Sequence, residues 1–521
     1  MRQLRFRLVS VAGILASTVL VALPAAGTTN GHTASAWPSA GQNLANTRHN
    51  AAERSIDDHR ARRLAVKWTY RTHGDVSATP TVSGGAVYFP DWGGYLHKVD
   101  TRTGHAIWSR PISDYTGRAG SLSRNSPTIW HDTIFVGEHG DGRLMAIDAG
   151  SGELKWITEV DPQPNATITA APVIADGILF QGVSSYDAGA AEDPEFDCCA
   201  HRGNLTALDP ETGEVLWRTY TVPDNGGLPG GYSGASIWGT PAVDPKHRRV
   251  YVTTGNNHSM PQEVIDCQSA GGAPEDCHQP GNHFDSILAL DMDTGEIEWA
   301  TGTEDFDNHT NACFEGMPPD NCPLNPGRDA DLGTGAQLFP GPGGRMLVGA
   351  GQKNGMYWAL DARTGRIAWS AAVAPGGDLG GIMWGTATDG KRIFVAATNF
   401  GGVPHKLPDG TTITTGSFAA LDARTGRMLW QIADPGGAMG LGPVSSANGV
   451  VYAGSTSGRM FALDADTGQV LFDHQGEGTS NAGPAIVDGT VYWGNGYLNI
   501  PVGIGGSNTF YAFSVRGQGG H

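Results

Sequence analysis

A ten-residue pattern that returns seven times restricts this chain more than any other feature. Its clearest copy is Leu360-Asp361-Ala362-Arg363-Thr364-Gly365-Arg366-Ile367-Ala368-Trp369. Leu290 to Trp299 and Leu421 to Trp430 are close copies, and further ones run from Val99 to Trp108, Ile147 to Trp156, Leu208 to Trp217 and Leu463 to Phe472. Each has the same physical content. An apolar residue ends one strand, the Asp and the Thr-Gly form an Asx-type turn whose glycine tolerates positive φ, and a second strand runs to a large aromatic. A hairpin repeated this often marks a repeat architecture, which must be read before any single motif.

A second set of β-rich runs begins near Pro and crosses a Gly or Asp turn. These are Pro80 to Phe89, Pro127 to Val136, Pro172 to Phe180, Pro241 to Val252, Ala336 to Val348, Thr386 to Val395, Pro443 to Tyr452 and Pro484 to Tyr492. Eight such runs stand against seven complete copies of the first pattern, so the eighth copy is split. Phe510 to Phe513 supplies one of its strands from the C-terminus, and Leu64 to Trp68 supplies the outer one from the N-terminus. The expectation is an all-β fold: an eight-bladed β-propeller of four-stranded antiparallel blades, closed by N- and C-terminal strands in one blade. Closure removes free sheet edges, and 76 glycines with only 17% charged residues suit a turn-dense β chain. The repeat-closing aromatics Trp68, Trp108, Trp156, Trp217, Trp299, Trp369, Trp430 and Phe472 are expected to pack between neighbouring blades.

The first residues read differently. A basic stretch from Met1 to Arg7, an apolar run from Leu8 to Leu23 and small residues around Ala26 and Ala34-Ser35-Ala36 have the layout of a secretory signal peptide. Residues 1–36 are therefore expected to be signal and short leader, and 37–521 a single propeller domain, exported to the periplasm or the extracellular space. An uncleaved anchor is the alternative, although the apolar run is short for a membrane span. Export makes the six cysteines disulfide candidates. They fall in three local pairs: Cys198 with Cys199, Cys267 with Cys277, and Cys313 with Cys322. The adjacent pair closes on itself as an eight-membered ring or pairs elsewhere, and geometry does not choose between the two. No Cys-x-x-Cys-His is present, so no covalent haem c is carried. The net charge of −18 argues against nucleic-acid partners.

The repeat spacing is uneven. Insertions at Asp187 to His201, Asn257 to Asp285 and Asp305 to Asp331 lie between the third and fifth units and hold all six cysteines. Function is expected to concentrate there. Several local phrases then carry a resemblance. Trp37-Pro38-Ser39-Ala40-Gly41-Gln42-Asn43-Leu44-Ala45-Asn46-Thr47-Arg48, Ser123-Arg124-Asn125-Ser126-Pro127, Gly182-Val183-Ser184-Ser185, and Cys198-Cys199 before Arg202-Gly203 are similar to sequences of the pyrroloquinoline-quinone (PQQ) dependent alcohol dehydrogenases. Within them the likeness is to the polyvinyl-alcohol dehydrogenase type.

The resemblance implies a site, residue by residue. Trp238 matches the tryptophan that forms the floor under the planar quinone, and another core tryptophan is its bland alternative. Asn256 matches the asparagine whose side-chain oxygen binds the metal, and Asp187 falls where the family carries a longer glutamate ligand. Either is otherwise a loop-capping polar group. Asp329 matches the catalytic aspartate that takes the hydroxyl proton as hydride leaves carbon. Asp331, the second acid of the Asp-x-Asp, accompanies a lanthanide instead of calcium in some relatives. Lys353, expected on an apolar inner strand, resembles the basic residue that bonds the quinone oxygens. Arg124, Thr169 and Ser184 match contacts to the cofactor's carboxylates and polar edge, and Trp384 is assigned to the same funnel. A Cys198–Cys199 ring would cover the quinone.

The reading that results is a secreted quinoprotein oxidoreductase. It oxidises a polymeric or secondary alcohol by hydride transfer to PQQ, with Ca2+ or a lanthanide as the metal and a separate electron acceptor such as a cytochrome c. The alternative is a non-catalytic propeller of PQQ-like repeats that serves as a binding or assembly scaffold.

Overall fold

The recurring turn builds itself from one carboxylate. In a computed structural model describing residue 1 and residues 36–377, 379–499 and 502–516, Asp361 Oδ1 accepts from the backbone N–H of Arg363 and Thr364 and from Thr364 Oγ1. Asp100, Asp209, Asp291, Asp422 and Asp464 repeat this pattern, and Asp148 does so with Ser151 in the Thr position. The glycine that follows sits at positive φ, +71° at Gly365, which only Gly adopts without strain.

These turns join the third and fourth strands of blades 1 to 7. Blade 1 runs Thr81–Ser83, Ala86–Pro90, Tyr95–Asp100 and Ala106–Pro111; blade 5 runs Gln337–Pro340, Met346–Gly351, Met356–Asp361 and Ile367–Ala372. Blades 2, 3 and 4 between them, and blades 6 and 7 after blade 5, follow the same antiparallel order. Blade 8 is the split one. Ala485–Val487, Thr490–Trp493 and Thr509–Val515 come from the C-terminal end, and Leu64–Arg71 adds the outer strand, from Leu64 opposite Val515 to Arg71 opposite Thr509. The eight-bladed, end-closed propeller expected from the repeat is the fold observed.

The closing aromatics do more than fill space between blades. A Cβ on Gly365 would lie 2.6 Å from the Trp299 ring of the preceding blade, and Gly104, Gly152, Gly213, Gly295, Gly426 and Gly468 stand likewise against Trp68, Trp108, Trp156, Trp217, Trp369 and Trp430. Each indole thus lies flat on the bare glycine of the next blade. Most also donate Nε1–H to a carbonyl of that turn, as Trp430 does to Ala465 O at 3.0 Å. Blade 7 carries Phe472 instead, and its neighbour, blade 8, has no such turn because the chain is broken there. With no turn carbonyl to reach, a ring without a donor suffices, and Phe472 packs edge-on against Phe513.

The N-terminal segment 37–50 laces the inner strands together. Trp37 pairs with Val82 of blade 1, while the carbonyls of Pro38, Leu44, Ala45, Thr47 and Arg48 accept from Ile129, Val243, Leu338, Thr388 and Ser446, in blades 2, 4, 5, 6 and 7 in turn. Asn50 Nδ2 donates to Ile486 O of blade 8. Residues 2–35, and with them the expected signal peptide, lie outside the described residues. Among the described residues no helix is long and apolar enough to cross a membrane.

Candidate active site

Antiparallel order fixes which loops can build a site. Connections between second and third strands, and between one blade and the next, all emerge on one face. Every expected site residue except Ser184 sits in such a connection. Arg124, Thr169, Trp238, Asp329, Asp331 and Trp384 lie in blade-to-blade links, while Asp187, Asn256 and Lys353 lie between second and third strands. The three insertions enlarge the same face, between blades 3 and 5. Lys353 is thus not on an inner strand, as expected. It lies in the tight turn that follows Met346–Gly351, which lets its side chain reach the loop of Asp329.

Lys353 is the hinge of a buried charge cluster. Its Nζ lies 2.8 Å from Asp329 Oδ1 and 2.5 Å from Asp331 Oδ2, and its backbone N–H donates to Asp331 O. All three side chains are buried. Burial raises the proton affinity of Asp329 well above the usual carboxylate range, the Asp331 charge adds to this, and Lys353 opposes it. Asp331 goes the other way: burial disfavours its charge, but Lys353 and the Asn256 N–H, 2.8 Å from Oδ1, hold it below the usual range. Burial alone would lower Lys353, yet the two acids outweigh it and keep the ammonium charged.

The loop that presents Asp329 is strained and braced. Asp329 has φ +52°, and Asp307 holds this turn by accepting from Asp329 N–H at 3.2 Å and Ala330 N–H at 2.5 Å. Such strain persists only where surroundings over-determine it. Asp307 is itself pushed up to about 6 by burial. Sequence reasoning missed this residue, because an acid in a polar insertion reads as solvated; only the fold shows it buried. Asn256 completes the cluster. Its amide donates to Asn257 O and His309 O, which leaves Oδ1 as the side-chain atom available to a ligand.

Trp238 separates this cluster from an axial cavity. A Cβ on Gly255 would lie 2.0 Å from Asp331 Oδ1 and 3.2 Å from Trp238 Nε1, so Gly is what allows acid and indole to meet there. Trp238 and Trp384 stand edge to face, 5.3 Å between centroids. Both line the cavity with Arg124, Thr169 and Arg48. The Arg124 guanidinium lies 4.8 Å over the Trp384 ring, and among the described residues it has no ion-pair partner. Thr169 Oγ1 and Trp384 Nε1 are buried without a hydrogen-bond partner. Such orphans and an unpaired arginine suit a flat ligand with acidic and polar edges.

Two expected residues are placed otherwise. Ser184 is buried at the end of strand Ile178–Ser185, opposite Thr167, and is not among the cavity-lining residues. Asp187 is buried with its carboxylate engaged: Oδ1 accepts from Asn165, and Oδ2 from the N–H groups of Ala200 and His201. Cys198 and Cys199 are bonded to each other, and Cys199 Sγ lies 4.0 Å from Asp187 O. Cys267–Cys277 and Cys313–Cys322 staple the two insertions that follow.

Two family models together span most of the propeller. Residues 37–308 match the family described as "Glucose/ethanol/alcohol dehydrogenase, beta-propeller domain". Residues 283–514 match the family described as "Outer membrane protein assembly factor BamB". The chain is 28% identical to a polyvinylalcohol dehydrogenase from a Pseudomonas species, over 88% of this chain and 73% of that protein. It is 27% identical to the quinohemoprotein alcohol dehydrogenase of Comamonas testosteroni, over 72% of this chain and 51% of that protein. The crystal structure of the latter superposes with a TM-score of 0.68 at 23% identity, covering 93% and 81% of the two chains. A europium-containing methanol dehydrogenase shares the fold with the same TM-score at 18% identity, covering 92% and 98%. With more than half its length matched, the chain belongs to the PQQ-type glucose, ethanol and alcohol dehydrogenase β-propeller family.

Proposed function

We propose that this protein is an exported, PQQ- and metal-dependent dehydrogenase of a polymeric or secondary alcohol. The observation that carries the reading is the buried Asp329–Lys353–Asp331 cluster against Trp238. Three desolvated charges cost stability, and a scaffold has no use for them. Arg124, Thr169, Trp238 and Trp384, which line the cavity, would hold PQQ; Ser184, opposite Thr167 and outside that lining, would not touch it. Asn256, Asp329 and Asp331 would offer the oxygen donors that calcium or a lanthanide prefers, and Asp187 would add a carboxylate that already accepts from Asn165, Ala200 and His201.

Bound there, PQQ supplies a two-electron acceptor for hydride and the cation a Lewis acid. The chain's own residues do the rest. Asp329 accepts the alcohol proton: burial strengthens it as a base, and the Lys353 ammonium opposes part of that rise. Lys353 also donates toward the cofactor's oxygens. Met383 and Leu441, packed beside Trp238 and Trp384, keep the pocket dry. The electrons pass on to a separate acceptor such as a cytochrome c. The name of the polyvinylalcohol dehydrogenase relative supports a polymeric substrate.

The BamB match to residues 283–514 favours the second reading, an assembly scaffold without cofactor. Reconstitution separates the two. Purified protein given PQQ with calcium or a lanthanide should reduce an artificial dye with some member of an alcohol panel that includes polyvinyl alcohol. Absence of PQQ binding with every metal would leave the scaffold reading standing.

A further inference from the structure

A second cluster of ligand-type side chains lies on the same face, at the corner where blade 8 passes to blade 1. His73 comes from the link after strand Leu64–Arg71, Asp91 from the end of the second strand of blade 1, and His97 from its third strand. One nitrogen from each histidine and a carboxylate oxygen of Asp91 all lie within 4.8 Å of one another. The geometry points to a second metal site here, built for a borderline divalent transition ion such as Zn2+ by two imidazoles and one carboxylate.

The surroundings supply what such a site requires. Asp91 is fully buried and anchored on both oxygens. Oδ1 accepts from Tyr95 N–H at 3.0 Å, and Oδ2 from His73 N–H at 2.7 Å, with His97 Nε2 2.8 Å away. His73 Nδ1 lies 3.7 Å from the same Oδ2, its ring stacked on Tyr95 at 3.7 Å and half open to solvent. The exposed imidazole leaves an entry path and open coordination positions for water.

The inner histidine is prepared for either tautomer. Its Nδ1 meets two hydroxyls, Tyr70 Oη at 3.1 Å and Ser109 Oγ at 3.0 Å. Hydroxyls donate or accept. Without metal, Nε2–H donates to Asp91 and one of the two hydroxyls donates to Nδ1. When an ion takes Nε2, the proton moves to Nδ1 and a hydroxyl accepts it, the outer-shell bond that orients a ligating imidazole. Imidazole and carboxylate together select zinc-like ions over calcium, which takes oxygen donors only. The ion would pin the corner that carries Trp92, whose Nε1 donates to Ser77 Oγ and whose ring faces Arg124 and Tyr497. This site therefore buttresses one wall of the axial funnel without belonging to the Asp329 cluster.

The test is a Zn2+ titration of the full chain, without an oligohistidine tag, in calcium sufficient to fill any oxygen-donor site. One equivalent of zinc should bind. His73→Ala should weaken it at least tenfold, and so should His73→Phe, which keeps the stack on Tyr95 but removes the ligand nitrogen. Asp329→Asn should leave zinc affinity unchanged. With Cu2+ as the probe, electron paramagnetic resonance should show nitrogen couplings from two imidazoles. Zinc binding that is absent, or equal in wild type and both His73 variants, would overturn the proposal, as would a copper spectrum without nitrogen coupling.

Discussion

Lys353 shows how much one side chain settles in a desolvated pocket. It neutralises two buried acids, so Lys353→Met should lower metal-free stability by about 3–5 kcal/mol, read from the denaturant midpoint. Calcium should then raise the thermal midpoint of the variant more than that of the wild type, because the cation replaces the lost charge. His139 gives a second residue-scale prediction. Burial first, and then the Arg124 charge, hold it down to about 4 in the folded protein, against roughly 6.5 in an unfolded chain. The folded state thus favours the neutral ring. Its contribution to stability is complete above about pH 6.5 and is lost as pH falls toward 4. His139→Gln should remove that part of the acid sensitivity: between pH 7 and 4.5 the wild-type midpoint should fall further than the variant's. Equal slopes would contradict the assignment.

At the scale of elements, the docking of each indole on the next blade's turn makes graded predictions. Gly365→Ala sets a Cβ against Trp299 at an unfavourable φ and should cost about 1–3 kcal/mol. Trp430→Phe removes a hydrogen bond to Ala465 O, while Trp369 Nε1 has no partner to lose. The first change should therefore cost about 1 kcal/mol more than Trp369→Phe, measured as a difference of unfolding midpoints. This level was the most legible from sequence. An Asp, a Thr and a Gly at fixed offsets make a turn by local hydrogen bonds, so the sequence pattern and the element are nearly the same thing. The site was legible only where a phrase carried it. Asp329 and Lys353 were each picked out by a phrase, but they lie 24 positions apart and only the fold shows that they pair at 2.8 Å. Asp307, bracing the strained Asp329 turn, and the His73–Asp91–His97 corner depend on which loops share a face, which no short window reveals. Lys353 was expected on a strand for the same reason: the turn after Gly351 is set by pairing with blade partners, not by its own composition.

The whole molecule is held closed twice, by the shared blade 8 and by the lacing of residues 37–50 across the inner strands. Arg48 is central to the second device. Fully buried, it donates to Val444 O, Ala40 O and Thr79 Oγ1, and burial lowers it to about 9. Removing residues 37–50 should therefore cost several kcal/mol through the backbone bonds lost, at about 0.5–1.5 kcal/mol each. Heat unfolding should broaden as blades uncouple. Removing Thr509–Val515 opens the ring itself and should abolish a single cooperative transition. A propeller closed in this way keeps its loop face still, which a site built from blade-to-blade links requires.

The central claim is that this face carries out alcohol oxidation with Asp329 as the base. PQQ binding and turnover measured on the same preparations of wild type and Asp329→Asn test it most directly. The variant is isosteric, so PQQ affinity in the presence of calcium should change little. Dye-linked turnover should fall by about 10²–10⁴-fold. Wild-type protein that binds no PQQ, or a variant that turns over at the wild-type rate, would contradict the account.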